Sequence, residues 1–170
     1  MHKMHIRPET PADYSAIRAI NVAAFLHHPF SRQTEHLIVE ELRKAGALAV
    51  SLVAEDESGR VVGHIAFSVM QIDGRDLGWY MAGPLAVMPE CQKKGIGSAL
   101  VRAGLEAIRA LGASGCFLVG DPAFYTRLGF ANEPLLTMQG VPPEVCLAYA
   151  FVQPVPQGAV THHPAFLAGL

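Results

Sequence analysis

From Thr10 onward, apolar residues fall at helical intervals. Ile17, Ile20 and Phe25, with Ala16 and Ala24, make one stripe. Thr10 caps that run, Pro11 takes its first position and Asp13 accepts near its start. A second helical run, SRQTEHLIVEELRKAGA, closes at Gly46 with Arg43 and Lys44 in its last turn. LHHPF joins the two as a flexible break, and MHIRPET ahead of them reads as a short strand.

Past Gly46 the period changes. LAVSLVAE (48–55) is a strand, DESG a turn and RVVGHIAFSVMQI a second strand, so the pair predicts an antiparallel hairpin. DGRD turns again into a third strand, LGWYMAGPLAV. Pro84 has no N–H for a ladder, so a bulge or a splayed edge is expected there. A glycine-broken loop and a helix over 97–111 follow, closed by Gly112. GCFLVG (115–120) is short and continuously apolar, as a strand buried on both faces is. Trp79 to Gly120 is therefore a strand–loop–helix–strand unit, a right-handed parallel crossover. PAFYTRLGF gives a short helix from Pro122 to Gly129, EVCLAYAFV (144–152) a last strand, and THHPAFLAGL an irregular tail.

No linker or repeat divides the 170 residues, which suit one domain spanning 1–170. Half the residues are apolar and 16% are charged, a folded composition. The formal net charge of -2 carries no basic excess for nucleic acid. No apolar run is long enough for a bilayer, so no membrane partner is expected. MHKMHIRPET has no apolar core, so no signal peptide is expected. Three cysteines without CxxC spacing read as reduced thiols in a cytoplasm. The eight histidines form no ligand spacing, so no metal is expected.

The loop QKKGIGSAL carries the chemistry. The P-loop spacing GxxxxGK[ST] is absent, and GxGxxG fails because Leu100 stands where its third glycine belongs. What remains is an anion site. Gly95 and Gly97 let backbone N–H groups face inward, and the helix start adds unpaired donors and a positive dipole end. Gln92, Lys93 and Lys94 stand at the same rim. Such a loop suits a pyrophosphate held by main chain.

LAVMPECQKKGIGSALVRAGLE resembles the acetyl-CoA loop of the GCN5-related N-acetyltransferase (GNAT) superfamily, whose pattern is Gln/Arg-x-x-Gly-x-Gly/Ala. Gln92, Gly95 and Gly97 match it. FYTRLGF resembles the family's Tyr-x-x-x-Gly-Phe element, here Tyr125, Gly129 and Phe130. GPLAV, GDPAFYTRLGF and the HHPAF tail are similar to the YhbS-like branch. The resemblance covers roughly residues 4 to 152. It implies an α/β fold with a mixed, mostly antiparallel sheet, a parallel splayed strand pair and flanking helices. It also implies transfer of an acetyl group from acetyl-CoA, the co-substrate, to the amine of a small molecule or peptide.

On that resemblance Gln92, Lys93, Lys94, Gly95, Ile96, Gly97 and Ser98 hold the pyrophosphate. Leu85, Ala86 and Val87 offer backbone groups to the pantetheine arm, and a backbone N–H near Val87 polarises the acetyl carbonyl. Tyr125 donates a proton to the departing thiolate. Glu35 and His64 are the candidates for the base; as plain structure, Glu35 is a solvated helix charge and His64 a half-buried strand residue. The strand before the loop lacks the carboxylate that many relatives carry. That lack motivates a second reading, a non-catalytic acyl-CoA-binding or sensing module. The acceptor is not specified by these residues, and oligomeric state stays open, a homodimer included.

Overall fold

Val61–Val69 is buried along almost its whole length because both of its faces are covered. The computed structural model describes residues 4–170; the first three residues of the segment read for a signal sequence lie outside them. In chain order the elements are β1 (His5–Pro8), α1 (Tyr14–Phe25), α2 (Glu35–Lys44), β2 (Leu48–Glu55), β3 (Val61–Val69), β4 (Gln71–Ile72), β5 (Trp79–Val87), α3 (Ile96–Ala110), β6 (Gly115–Val119), α4 (Pro122–Tyr125), β7 (Ala131–Asn132), β8 (Leu136–Thr137), β9 (Cys146–Ala150) and β10 (Gly158–Thr161). The main sheet runs β1-β2-β3-β5-β6-β9-β7, and β4-β10-β8 form a smaller one. Only β5–β6 is a parallel neighbour pair in the main sheet. The α/β class and the mixed sheet with one parallel pair are as expected from the sequence.

Alternation sorts the β3 side chains to two sides. Ile65 and Phe67 enter the core with Leu100, Val101, Leu105 and Ile108 of α3. His64 points the other way, to Asn21 of α1. Gly104 lets α3 approach closely, since a Cβ there would stand 2.1 Å from the Phe67 ring.

The register of β5 against β3 slips by one residue. Ala82 lies opposite Phe67, yet Leu85 lies opposite Ile65, so Gly83 and Pro84 share the space facing Ala66. This is the bulge expected at Pro84. On its other side β5 pairs with β6 only through Trp79–Gly115, Tyr80–Cys116 and Met81–Phe117. Beyond these pairs β5 continues to Val87 along β3, and β6 continues to Val119 along β9. A gap opens between the two strands.

Some boundaries differ from the sequence reading. The run from Pro11 begins as a tight turn at Pro11–Asp13 before α1, because Asp13 turns back to accept from the Thr10 N–H and to pair with Arg7, each at 2.7 Å. The second helix starts at Glu35 instead of Ser31. The strand read through Ile72 breaks at Met70, and β10, which the sequence reading did not assign, lies just ahead of the tail read as irregular and overlaps it only at Thr161. β10 pairs with β4 on one side and β8 on the other. Strands of two to four residues are too short to show a period.

Candidate active site

Backbone geometry builds the loop. Lys93 (φ 64) and Gly95 (φ 87) both take left-handed conformations, which turn successive N–H groups toward one concavity. Such a φ is uncommon for lysine and easy for glycine. The α3 ladder begins with the Ala99 N–H on the Gly95 carbonyl at 3.0 Å. Among the described residues, no protein acceptor meets the amides of residues 93–98, and no side chain caps the helix. Unpaired donors at the positive end of a helix fit a diphosphate.

The Gln92 side chain turns back to the strand. Its Nε2 donates to the Val87 carbonyl at 3.0 Å and braces the loop on the end of β5. Lys93 and Lys94 stay exposed at the rim. Ile96 packs into the core, and Ser98 is half-buried in the first turn of α3. At Gly97 a Cβ would meet Phe124 at 3.5 Å, Leu85 at 3.8 Å and Val87 at 3.9 Å. Glycine thus keeps the loop's inner wall open where α3, β5 and α4 converge.

The ladder fixes where the β5 donors point. The Met88 N–H bonds to Val62 O, and the Met70 N–H to Trp79 O. Opposed residues in an antiparallel pair alternate between bonded and non-bonded pairs. Ala86 is therefore bonded to β3, while Ala82, Leu85 and Val87 face the gap, where Gln92 already occupies the Val87 carbonyl and leaves its N–H. Of the three residues expected to meet the pantetheine arm, Ala86 spends its backbone on β3.

Tyr125 ends α4 on the far side of the gap. Its ring stands edge-on to Phe124 (4.8 Å) and Phe130 (5.7 Å). Gly120 makes room for it, since a Cβ there would come within 2.6 Å of the ring. Burial, with smaller effects from Cys116 and Asp121, pushes the phenol up to about 12, so it stays protonated at neutral pH. Sequence reasoning overlooked Phe124 and Gly120. The signal for both was adjacency to Tyr125 and to the end of β6.

The two base candidates part company. Ser31 Oγ donates to the Glu35 carboxylate at 2.8 and 2.7 Å at the start of α2. His64 is fully buried, not half-buried. Glu9 accepts from Ser51 Oγ at 2.5 Å, which uses the only hydroxyl proton. Ser51 must then accept from His64 Nε2–H at 2.9 Å. That leaves Nδ1 to accept from Asn21 Nδ2 at 3.4 Å. Burial pushes the imidazole down to about 4. A neutral histidine enclosed in this way holds α1 to the sheet and is withdrawn from the candidate site.

The enclosed histidine predicts a pH effect. Between about pH 6.5 and 4 the unfolded chain binds a proton here that the folded chain refuses. Stability therefore falls as pH drops through that window, by on the order of 3 kcal/mol. Asp13, held down to about 2 chiefly by Arg7, loses its contribution only below that window. Thermal melts from pH 7 to 4 should show a shallower loss for His64→Gln than for the parent; equal slopes would refute this account.

Residues 47–132, half of the chain, match the acetyltransferase (GNAT) domain family. The chain belongs to the GNAT acetyltransferase family. It is 38% identical over 127 residues to the uncharacterized N-acetyltransferase YhbS of Escherichia coli K12, covering 75% of this chain and 73% of that one. A crystal structure of a GNAT family acetyltransferase from Brucella melitensis with acetyl-CoA is 44% identical, covering 98% and 99% of the two chains with a TM-score of 0.86. YhbS from Escherichia coli in complex with CoA superposes at a TM-score of 0.87 with 30% identity, covering 99% and 94%. The GNAT chain described here is thus an enzyme of the N-acetyltransferase class, with acetyl-CoA as its co-substrate. Among the described residues no helix is long and apolar enough to cross a membrane.

Proposed function

We propose that the protein transfers the acetyl group of acetyl-CoA to the primary amine of a small molecule or peptide. One observation carries the donor site: the unpaired amides of residues 93–98 open beside a strand gap into which Leu85 and Val87 direct their backbone groups. The loop amides hold the diphosphate. Val87, next to the loop, serves the pantetheine arm, as an added strand would. Leu85 lies one side-chain repeat deeper, and its N–H polarises the thioester carbonyl. The amine nitrogen attacks that carbonyl carbon, the C–S bond breaks and the thiolate leaves. Tyr125 meets the sulfur as a hydrogen-bond donor. A phenol near 12 need not give up its proton fully to a thiolate whose parent thiol titrates near 8.5.

Glu35 takes the proton from the incoming ammonium in this reading. The other α2 carboxylates, Glu40 and Glu41, are tied to Arg18 at 2.6 Å and Lys44 at 3.7 Å. Among the described residues, the side-chain partner of Glu35 is the Ser31 hydroxyl. Glu35→Gln should lower turnover about tenfold or more and leave acetyl-CoA affinity unchanged. Unchanged turnover would assign the proton to water. The free thiols Cys91, Cys116 and Cys146 fit a reducing cytoplasm.

The donor site is tested by isothermal titration with acetyl-CoA. Because main chain does the gripping, Gly95→Val, which strains the φ of 87°, should weaken binding more than the double change Lys93→Ala with Lys94→Ala. The reverse order would mean that side-chain charge, not the amide cradle, holds the diphosphate.

A further inference from the structure

The gap between β5 and β6 has a closed end. The strands are paired as far as Met81 and Phe117 and parted beyond. Ala82 is the first β5 residue past the last pair. Cys116, opposite Tyr80, shares a face with Tyr80 and Ala82. That face carries Phe67, directly opposite Ala82, and is covered by α3. Leu118, two residues along β6 on the same face, has no β5 partner and walls the gap. Leu85 and Leu118 are thus the sides, and Ala82 and Cys116 the end.

We infer that this closed end limits the acyl group on coenzyme A to two or three carbons, and that Cys116 is the residue that sets the limit. The inference rests on the reading that the thioester lies between β5 and β6. Ala82 and Leu85 face Phe67 and Ile65, two residues apart on β3, so the bulge leaves about 7 Å between them; less about 4 Å of carbon–carbon contact at the wall, room remains for one or two carbons behind the carbonyl. A short acyl group fits within that length behind a carbonyl held at Leu85, whereas a longer chain meets Cys116 and Ala82. Cys116 is fully buried, and its thiol lies beside the Ala82 backbone amide. Burial pushes that thiol up, so it remains protonated and acts as a wall, not as a nucleophile. Tyr125 packs against the core cluster that contains Cys116 and Leu118, which puts the sulfur-facing hydroxyl and the end wall on the same side of the gap.

The test measures affinity by isothermal titration for free CoA and for acetyl-, propionyl-, butyryl- and hexanoyl-CoA. The parent should bind the first three and lose about tenfold or more for each further methylene. Cys116→Ala should recover butyryl-CoA about tenfold. Cys116→Leu should bind free CoA as the parent does but acetyl-CoA at least tenfold more weakly. Thermal melts of both variants report folding; should the leucine variant not fold, the parent series and Cys116→Ala still decide. Equal affinity for hexanoyl- and acetyl-CoA in the parent, or an unchanged length profile in Cys116→Ala, overturns the inference alone. Failure of free CoA to bind overturns the donor site and the inference with it.

Discussion

Tyr125→Phe should lower turnover about a hundredfold or more with the best amine of a panel, while acetyl-CoA affinity stays within about twofold. The phenol is largely buried, and its ring is held by Phe124 and Phe130. Removing the hydroxyl therefore changes no packing. The loss falls on the step in which negative charge builds on sulfur, where one well-placed donor in a dry site is worth several kcal/mol. Thiol release measured at saturating acetyl-CoA isolates that step. Variant turnover equal to the parent's would take Tyr125 out of the chemistry and leave it as packing.

Gly104→Ala should destabilise the fold by about 3 kcal/mol, lowering Tm on the order of 10 °C. The added Cβ would stand 2.1 and 2.3 Å from two ring carbons of Phe67. Phe67 is fully buried on β3, an interior strand of the main sheet, and α3 carries the loop at its start. Neither can retreat without moving the other. Phe67→Leu in the same chain should restore part of the loss, which makes the coupling measurable as a double-mutant cycle. An unchanged melt for the single variant would show that α3 shifts freely, contrary to its close packing on β3.

The proposed donor site is written in local signals. Gly95 and Gly97 at the start of a strongly periodic helix can be read without knowing the fold, and Pro84 announced the bulge directly before Leu85, the first of the amides it positions. Tyr125 was legible only through its motif; Gly120 and Phe124, which hold it, gain meaning from contacts across the gap. His64 stood as a base candidate because its type suits proton transfer; its partners Ser51 and Asn21, and Glu9 behind Ser51, come from three other segments, so its structural role could not be read locally. The small sheet was missed because β10 pairs with β4 from more than eighty residues away and with β8 from about twenty, and each strand is too short to carry a pattern.

The extra residue at Gly83–Pro84 also decides which atoms the gap can use. Without it the strand would keep one phase, and positions 82, 84 and 86 would look into the opening. The middle one is an imino acid with nothing to donate. Inserting one residue swaps the parity, so that leucine and valine amides replace it. Straightening the ladder over the same residues would slide everything past Pro84 by one place along β3. The hydrophobic composition would be untouched, yet the enzyme would be blind to its thioester, because the Leu85 and Val87 amides would turn toward a neighbour that already has its bonds.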